Sequence, residues 1–402
     1  MGGKKSIIYC SSLISNRMMT YLFQTSTQVP MQSAFKFNKL FVEGFSMNQC
    51  NVFAVSSIPV IPSSHRKRFW ALPKEVIGAV HYWYAPIINI SFLKHVMVFI
   101  YAFFSVFYLR LRSGLRAYAV IDVLNSSISS GALAACKLTM GKSIGIVTDL
   151  PQLLQQTLNI SRLSFIEKSS IKLNEHLIKH YDGYVFLTDH MNKAINPKNK
   201  PSCIIEGLVD INMQKTGKSL IKDKPRVILY SGGIYEKYGV KMLLEAFMSM
   251  EHKDIQLSIF GTGDMVDILL KYCKKDKRIK YHGVVPNDKV IEAQLTATLL
   301  VNPRPSNVEF VKFSFPSKNM EYMASGTPVV TTRLPGMPIE YYDYIFIFNE
   351  ETVKGFAQTL NEILSLPNKA LIEKGQSCKS FVLEKKNNII QAGKVLELFQ
   401  RV

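Results

Sequence analysis

The stretch that decides the fold is Phe313-Ser-Phe-Pro-Ser-Lys-Asn-Met-Glu-Tyr-Met-Ala-Ser-Gly-Thr-Pro-Val-Val330. Pro316 suits the first position of a helix, where its missing N–H costs nothing, and Gly326 suits the left-handed residue that ends one. The chain enters this predicted helix from the strand-like residues 297–301 and leaves it into residues 327–332, which are β-branched and apolar like a buried strand. A short helix is therefore predicted between two strands of one sheet.

The amino end of this helix is a candidate site for an anion. Free N–H groups and the positive end of the helix dipole meet there, at the carboxyl edge of the sheet. Lys318 adds a positive charge in the first turn, and Glu321 lies three residues on, so both side chains project from one face. Two interpretations are open at this point: an exposed Lys318–Glu321 ion pair on an ordinary helix, or a phosphate-binding helix.

Alternating strand and helix patterns run through both halves of the 402 residues. In the first half, strand-length apolar runs are found at 5–10, 51–57, 118–124, 143–149 and 183–189, and helical periodicity at 34–47, 129–140 and 165–180. In the second half, strands are predicted at 226–231, 255–260, 279–282, 298–302 and 344–348, and helices at 240–250, 265–274, 288–295, 351–364, 369–385 and 388–399. This alternation predicts an α/β protein with two Rossmann-like domains whose parallel sheets are covered by helices.

The length allows two domains of ordinary size, each with its own core. We expect the first domain at residues 1–210 and the second at 226–387. Residues 211–225 are polar, lysine-rich and short of apolar anchors, which favours a linker. Residues 388–402 form a carboxy-terminal helix that we expect to pack back on the first domain.

Positive charge is concentrated in the amino-terminal part of the chain. The net charge is +19, and residues 1–117 hold 13 Lys or Arg against only Glu43 and Glu75. Such a surface suits nucleic acid, anionic lipid headgroups or an acidic substrate. No nucleic-acid-binding module is recognisable, so we expect no nucleic-acid partner.

Residues 95–109 are almost wholly apolar and are flanked by Lys94 and Arg110. The run is shorter than the ~20 residues that span a bilayer. It is therefore either a buried helix or a helix lying in the membrane interface with basic ends that reach headgroups.

The six cysteines are scattered, without a Cys-x-x-Cys pair. This pattern favours free thiols in a reducing cytosol over disulfides or a metal site.

Three turns between a strand and a helix form a candidate ligand site in the second domain: Ser231-Gly232-Gly233, Gly261-Thr262-Gly263 and Pro316-Ser317-Lys318. Glycines let a ligand or another backbone come close. Because ligands of open α/β sheets bind at the carboxyl edge, three such turns on one sheet are a stronger signal than any one of them.

These motifs resemble glycosyltransferase family 4, the group 1 glycosyltransferases with the GT-B fold, and in particular its polysaccharide-building branch. The resemblance rests on the opening stretch and on Tyr230-Ser-Gly-Gly-Ile-Tyr-Glu-Lys-Tyr-Gly239, Ile259-Phe-Gly-Thr-Gly-Asp264, His282-Gly-Val-Val285, Asn302-Pro-Arg-Pro305, Val147-Thr-Asp-Leu-Pro151 and Ile205-Glu-Gly-Leu-Val-Asp210. It implies two Rossmann-like domains that face a central cleft. The carboxy-terminal domain would hold a nucleotide sugar, and the amino-terminal, membrane-facing domain would hold the acceptor. Retention of anomeric configuration and independence of a bound metal are also implied.

The resemblance assigns roles residue by residue. Glu321 matches the second glutamate of the family's Glu-x7-Glu motif, which binds the ribose hydroxyls. Lys318 and the amides of Ser317 to Asn319 match the diphosphate site. Further donor-side matches are Gly232 and Gly233 near the phosphates, Gly261 and Gly263 in the next turn, and Val284 and Val285 beside the base.

Catalysis in such an enzyme needs little from side-chain nucleophiles. The leaving diphosphate can take the acceptor proton while Lys237, Lys318 and the helix dipole stabilise its charge. Asp149 could orient or deprotonate the acceptor hydroxyl, although an Asp-Leu-Pro after a strand is also a common turn former.

Three departures from the family pattern limit the assignment. The first motif glutamate is replaced by Phe313, the usual arginine by Gly233, and the usual lysine by Tyr238, which leaves Lys237 one place early. Asp149 falls at or beside the position where many members carry a histidine.

We therefore predict a hexosyltransferase-type enzyme that is cytoplasmic and peripheral on the inner face of the cell membrane. It would move a sugar from a nucleotide diphosphate sugar to a glycan, expected to be lipid-linked, in surface polysaccharide synthesis. The alternatives are a catalytically degenerate binding subunit of the same fold and a nucleotide-sugar epimerase.

Overall fold

The computed structural model describes residues 4–26, 33–113, 117–150, 165–215 and 225–402. The chain forms two compact units: Met1–Leu208 together with Asn388–Val402, and Val209–Asn387. The second unit thus begins before the predicted linker. Ile211–Lys215 forms a 3₁₀ turn within it, and residues 216–224 lie outside the described residues.

The first unit contains an eight-stranded sheet in the order β10-β9-β8-β7-β1-β2-β5-β4 and a separate two-stranded pair, β3-β6. Its strands are β1 (Ser6–Ser11), β2 (Asn51–Ser56), β3 (Phe69–Trp70), β4 (Glu75–Ile77), β5 (Val80–Tyr84), β6 (Ile87–Ile88), β7 (Ala117–Asp122), β8 (Ser143–Val147), β9 (Gly183–Phe186) and β10 (Ser202–Ile204). Its helices are α1 (Asn16–Thr25), α2 (Ser33–Met47), α3 (Ser91–Ser113), α4 (Ser126–Leu138), α5 (Phe165–Leu177), α6 (Asp189–Ile195) and, from the end of the chain, α13 (Asn388–Leu398).

The second unit contains a six-stranded parallel sheet in the order β13-β12-β11-β14-β15-β16. Its strands are β11 (Arg226–Ser231), β12 (Ile255–Phe260), β13 (Ile279–Tyr281), β14 (Leu299–Asn302), β15 (Val329–Thr331) and β16 (Phe346–Ile347). Its helices are α7 (Val240–Met248), α8 (Val266–Lys275), α9 (Asn287–Thr296), α10 (Ser317–Ser325), α11 (Val353–Ser365) and α12 (Asn368–Lys385). Numbered along this unit, the strand order is 3-2-1-4-5-6, the doubly wound arrangement.

Burial explains why these segments adopt these structures. All six residues of β1 are buried, as a central strand covered on both faces requires. Helix α7 buries Val240, Leu243, Leu244 and Phe247, whose spacing places them on one helical face. The predicted alternation of strands and helices is confirmed in both units.

Two features of the first unit differ from the predicted all-parallel pattern. Strand β4 pairs antiparallel with β5, and β3 pairs antiparallel with β6. These strands have only two or three residues, too few for a periodic signal. The predicted run at 95–109 is also longer, because α3 extends from Ser91 to Ser113 and takes Arg110 and Arg112 into its last turn.

Helix α13 is part of the first unit. Asn48 of the loop after α2 donates its side-chain amide to the carbonyl of Ile389 (2.8 Å), and Gln391 donates to the carbonyl of Gly207 (3.2 Å). The ring of Phe399 lies 4.5 Å from that of Tyr118 on β7. The end of the chain therefore packs beside elements from its beginning.

Candidate functional site

The topology of the second sheet marks where a ligand would bind. Strands β11 and β14 are neighbours, and the strand order runs in opposite directions on either side of them. Loops that follow two such strands diverge, which opens a crevice at their carboxyl ends. Helix α10 follows β14 and begins at this edge, so the predicted anion site lies at the topological switch point.

Two hydrogen-bonded contacts hold α10 against the ends of β11 and β14. The hydroxyl of Tyr322 accepts from the Ser231 N–H (2.8 Å) and lies 3.2 Å from the Ser231 carbonyl, to which it donates. The side-chain amide of Asn302 donates to Oδ1 of Asn319 (2.8 Å). Tyr322 and Asn319 are buried, so these contacts are shielded from competing water.

Lys318 reaches across to the first glycine turn. Its ammonium donates to the carbonyl of Ser231, and its side chain lies where a Cβ on Gly232 would stand. Burial lowers the pKa of Lys318 to about 8, the Glu321 carboxylate opposes this shift, and Arg304 adds to it. The lysine is thus a partly desolvated cation. It is suited to bind a phosphate, whose negative charge would stabilise the protonated ammonium.

The boundaries of α10 match the prediction with one adjustment. Gly326 has φ 81° and its N–H donates to Met323 O, as a left-handed helix end requires. Pro316 caps the helix from outside, and Ser317 is the first helical residue. The Asn319 N–H donates to Pro316 O (2.9 Å), so the amides of Ser317 and Lys318 are the ones without a helical acceptor.

The two glycine turns interlock through their backbones. The Gly232 N–H donates to Phe260 O (2.8 Å) and the Ile234 N–H donates to Thr262 O (2.8 Å). A Cβ on Gly261 would meet the Gly232 carbonyl, and one on Gly263 would meet that of Ile234. Glycine is therefore required at positions 261 and 263 for loop packing. This packing accounts for both glycines without a contact to a ligand.

The predicted base-side segment follows β13. Val284 is 66% exposed, whereas Val285 packs against the second unit's core. Beside them, the rings of His282 and Phe260 stack at 4.3 Å with an 11° interplanar angle. An exposed apolar side chain beside stacked rings at the carboxyl edge is suited to a planar base.

Arg304 was not among the predicted site residues, although it lies in the quoted motif after β14. Its guanidinium lies 4.7 Å from the Tyr238 ring and 5.4 Å from the Phe310 ring, and it donates to Ser314 Oγ (3.3 Å). It is close enough to Lys318 to affect its pKa. The position of Arg304 within the motif could have marked it as a candidate, but the proximity of Arg304 to Lys318 depends on tertiary structure.

Lys237 and Gly233 lie in the turn that follows β11. Lys237 is exposed, with its ammonium 5.8 Å and 5.6 Å from the rings of Tyr235 and Tyr238. Gly233 accepts a hydrogen bond from the Tyr230 hydroxyl (2.6 Å).

Phe313 ends a 3₁₀ turn, Glu309–Phe313, one loop before α10.

Asp149 lies in the first unit, two residues after β8, and is exposed. Its charge acts on Asp122, the last residue of β7, which sequence reasoning missed because it falls inside an apolar run. Burial raises the pKa of Asp122 to about 6, hydrogen bonds from Leu124 and Asn38 oppose this, and Asp149 adds to it. The Asn38 side chain also accepts from Tyr9 (2.6 Å), so Asp122 belongs to a polar network at the carboxyl edge of the first sheet.

In the described part of the chain, no three His, Cys, Asp or Glu side chains are grouped closely enough to hold a metal ion. The six cysteines are free thiols.

Comparison with known proteins finds a family match within the second unit. Residues 213–378 match the family described as glycosyl transferases group 1, and this segment contains every proposed donor-side residue. No curated protein sequence matches the chain.

Solved structures resemble the chain over nearly its whole length. Sucrose-phosphate synthase from Thermosynechococcus elongatus has a TM-score of 0.63 at 12% identity, covering 99% of this chain and 100% of the other. The Anabaena protein HepE in complex with UDP-glucose gives 0.61 at 12% identity, with 99% and 100% coverage. α,α-Trehalose 6-phosphate synthase from Burkholderia multivorans gives 0.63 at 10% identity, with 99% and 97% coverage.

At these identities the structural likeness establishes the fold, and the family match over residues 213–378 supports a glycosyltransferase. Both agree with the resemblance found in the sequence motifs. This chain is a glycosyltransferase of the GT-B fold, in which residues 213–378 of the second unit match the group 1 glycosyl transferases.

Proposed function

We propose that this enzyme transfers a sugar, with retention of configuration, from a nucleotide diphosphate sugar to a lipid-linked glycan during surface polysaccharide synthesis. The observation that carries the proposal is the amino end of α10. This end is held at the switch point, with Lys318 against the Ser231–Gly232 turn. A cation, a helix amino terminus and a side-chain-free turn at one place suit a diphosphate.

The donor would be bound along the carboxyl edge of the second sheet. Ser317, Lys318 and the Gly232–Gly233 turn would hold the diphosphate, Glu321 the ribose, and Val284 with the Val285 backbone the base. Solved structures of the same fold contain UDP or UDP-glucose, which supports a uridine nucleotide as the first donor to test.

The chemistry would proceed on one face of the donor sugar. The bond between the anomeric carbon and the phosphate oxygen breaks, the acceptor oxygen attacks from the same side, and its proton passes to the leaving phosphate. Lys318, Lys237 and the α10 dipole would stabilise the negative charge on the departing diphosphate. Because these groups supply the positive charge, we propose that no bound metal is needed.

The acceptor would be held by the first unit. Asp149 lies at the carboxyl edge of the first sheet near Asp122, whose raised pKa allows it to exchange a proton near neutral pH. The concentration of positive charge in residues 1–117 supports an anionic, membrane-anchored acceptor and a location on the inner face of the cell membrane.

The test is Lys318→Ala, assayed for nucleotide release with UDP-sugars on membranes that contain the lipid-linked acceptor. Loss of a charge that acts on the leaving group should lower kcat by about 10²-fold to 10³-fold. Lys271→Ala, at an exposed lysine on α8, is the matched control and should retain wild-type activity.

Three results would contradict the proposal. Wild-type turnover in Lys318→Ala would remove the site assignment. Conversion of the nucleotide sugar to its epimer without acceptor would show the alternative enzyme. Tight nucleotide-sugar binding with no release of nucleotide under any acceptor condition would show a binding subunit.

A further inference from the structure

The outer face of α3 carries a row of large apolar side chains that the first unit leaves in solvent. Phe92, Ile100, Phe104, Tyr108 and Leu111 are 70%, 47%, 62%, 50% and 66% exposed. Their spacing of three, four or eight residues places them on one side of the helix. We call this row the outer stripe.

The inner face of the same helix is part of the core. Val98, Ala102, Val106 and Leu109 are at most 1% exposed. The backbone of α3 also approaches α4 so closely at Gly131 that a Cβ there would overlap the Phe99 carbonyl. The helix is thus fixed to the unit by one face while its other face, equally apolar, has no protein cover within the described part of this unit.

The outer stripe is too extensive to be incidental surface. A helix of 23 residues is ~35 Å long at ~1.5 Å per residue, and the stripe follows most of that length. Single exposed apolar residues are common on soluble proteins, but contiguous patches of this extent mark interaction sites.

A groove of about 520 Å³ lies at the carboxyl end of the stripe, between α3 and β5. It is lined by the rings of Trp83, Tyr101, Phe104 and Tyr108 and by the cations Lys74 and Arg112. The Lys74 ammonium lies 3.9 Å from the Trp83 ring, and Arg112 donates to the Tyr108 hydroxyl (3.4 Å). Aromatic rings with cations at their edge are the side chains that occur where lipid tails meet headgroups.

The charge of residues 1–117, the segment that contains the stripe, is complementary to an anionic surface. Residues 1–117 contain only two carboxylates, and Glu75 is engaged by hydrogen bonds from Ser15 (2.5 Å) and Tyr84 (2.9 Å). At the start of the unit's β3–β6 pair, Arg66, Lys67 and Arg68 are exposed beside Phe69, which is 56% exposed.

We propose that the outer stripe lies in the plane of an anionic phospholipid bilayer, with Lys74 and Arg112 binding a lipid phosphate at the groove. This deepens the proposed membrane association by naming its surface. Of the described helices, α3 alone is long and apolar enough to cross a membrane. Only 28% of its most apolar 18-residue window is buried, so most of that window is open to a lipid surface. It lies in the plane because spanning would pull Val98, Ala102 and Val106 out of the core, and Arg110, which donates to the Ala117 carbonyl, with them.

Vesicle flotation of the full chain tests the docking surface. Wild-type protein should float with vesicles of phosphatidylglycerol and phosphatidylcholine, and less with phosphatidylcholine alone. Phe104→Glu combined with Leu111→Glu should lower the partition coefficient at least about tenfold, because burial of each side chain in the bilayer is lost. Ile339→Glu, at an apolar residue 83% exposed in the second unit, is the matched control and should float like the wild type.

A second measurement does not depend on a charged substitution. Brominated phosphatidylcholine mixed with phosphatidylglycerol should quench the fluorescence of Trp83, which lines the groove. Trp83→Phe should remove that quenching, since the other tryptophan, Trp70, is 1% exposed. Alkaline carbonate should release the bound protein if it lies in the plane.

The proposal is overturned if wild-type protein does not float, if the double variant floats equally well, or if only detergent releases the chain. It is also overturned if Phe104→Glu instead dissolves a dimer in solution, which would assign the stripe to a second copy. UDP binding, measured by thermal shift, distinguishes the docking-surface proposal from the proposed function. A variant that binds UDP but not vesicles supports the docking surface, whereas vesicle binding without any sugar transfer would contradict only the proposed function.

Discussion

At the scale of single residues, Arg304 is the cation that the second unit adds to Lys318. It follows β14, the strand beside β11, and stacks between the rings of Tyr238 and Phe310. The turn after β11 supplies glycine at 233 and tyrosine at 238, where the family resemblance led us to expect cations. Arg304 thus places a positive charge near a turn that carries few of its own.

Arg304→Ala should weaken donor use. Loss of a cation near the proposed diphosphate site is expected to lower kcat/KM for the nucleotide sugar by about tenfold to a hundredfold. Arg304→Lys should restore little, because an ammonium does not stack on two rings as a planar guanidinium does. Lys374→Ala, which removes a cation 5.4 Å from the Phe346 ring, is the control, and an equal loss there would refute a specific role.

Asp122 is the second residue whose environment has a functional implication. Its pKa is raised, mainly by burial, from 3.8 to about 6. The folded state therefore holds this proton more tightly than the unfolded chain does. The stability that this carboxyl contributes is complete below the unfolded value and is lost as pH rises through about 6.

Asp122→Asn should accordingly raise the melting temperature by a few degrees above about pH 6 and leave it unchanged near pH 4. It should lower sugar transfer if the carboxyl acts on the acceptor. Thermal unfolding across that pH range checks the first part. Asp182→Asn should have the opposite effect on stability. Burial raises the pKa of Asp182, but hydrogen bonds from Ser143 and Lys137 outweigh burial, so that the pKa of Asp182 is lowered overall. A pH-independent difference would contradict the assignment.

At the scale of elements, α10 is the helix on which the proposed donor site depends. Its local signals are in the sequence: a proline before it, a left-handed glycine after it and a strand on either side. Its position is fixed by contacts that no local signal contains, because Tyr322 and Lys318 bind Ser231, 91 and 87 residues earlier in the chain.

Tyr322→Phe should therefore loosen α10 from β11. The Ser231 N–H would lose its acceptor in a buried place, which costs about 1–3 kcal/mol of unfolding free energy. Displacement of the helix amino terminus should also raise the KM for the donor. Urea unfolding and donor titration measure the two effects. Tyr342→Phe removes a half-buried hydroxyl bonded to Leu334 O (3.1 Å), and it should cost less and leave the KM unchanged.

At the scale of the whole molecule, the two units are not two successive halves of the chain. The second unit is one continuous segment, Val209–Asn387, whereas the first is completed by Asn388–Val402. The second unit holds its own apolar clusters, one on each side of its sheet. Stability of the first unit should consequently depend on the last residues of the chain.

Removal of residues 388–402 should destabilise the first unit selectively. The Asn48 side chain and the Gly207 carbonyl would lose their 2.8 Å and 3.2 Å hydrogen bonds, and Tyr118 would lose the Phe399 ring. Limited proteolysis should then cut within the first unit, while UDP still protects the second. Loss of UDP binding in the truncated chain would show that the second unit is not independent.

The sequence predicted the elements well because each depends on local chemistry. Periodicity marked α7 and β11 within two residues, since an amphipathic or fully apolar pattern suits only one kind of buried element. It predicted less where elements are short or the partner is distant. β4 has three residues, and its antiparallel pairing with β5 depends on a neighbour and not on its own pattern.

The sequence by itself determined that this is an α/β chain of alternating strands and helices, and that Lys318 opens a capped helix at a sheet edge. Local spacing and glycine conformation are sufficient for that. Only the tertiary structure decided that Lys318 lies against the Ser231 carbonyl, that Arg304 joins it, and which face of α3 is core and which faces solvent. Those outcomes depend on contacts between residues far apart in sequence and on burial against other elements, neither of which is contained in a local pattern.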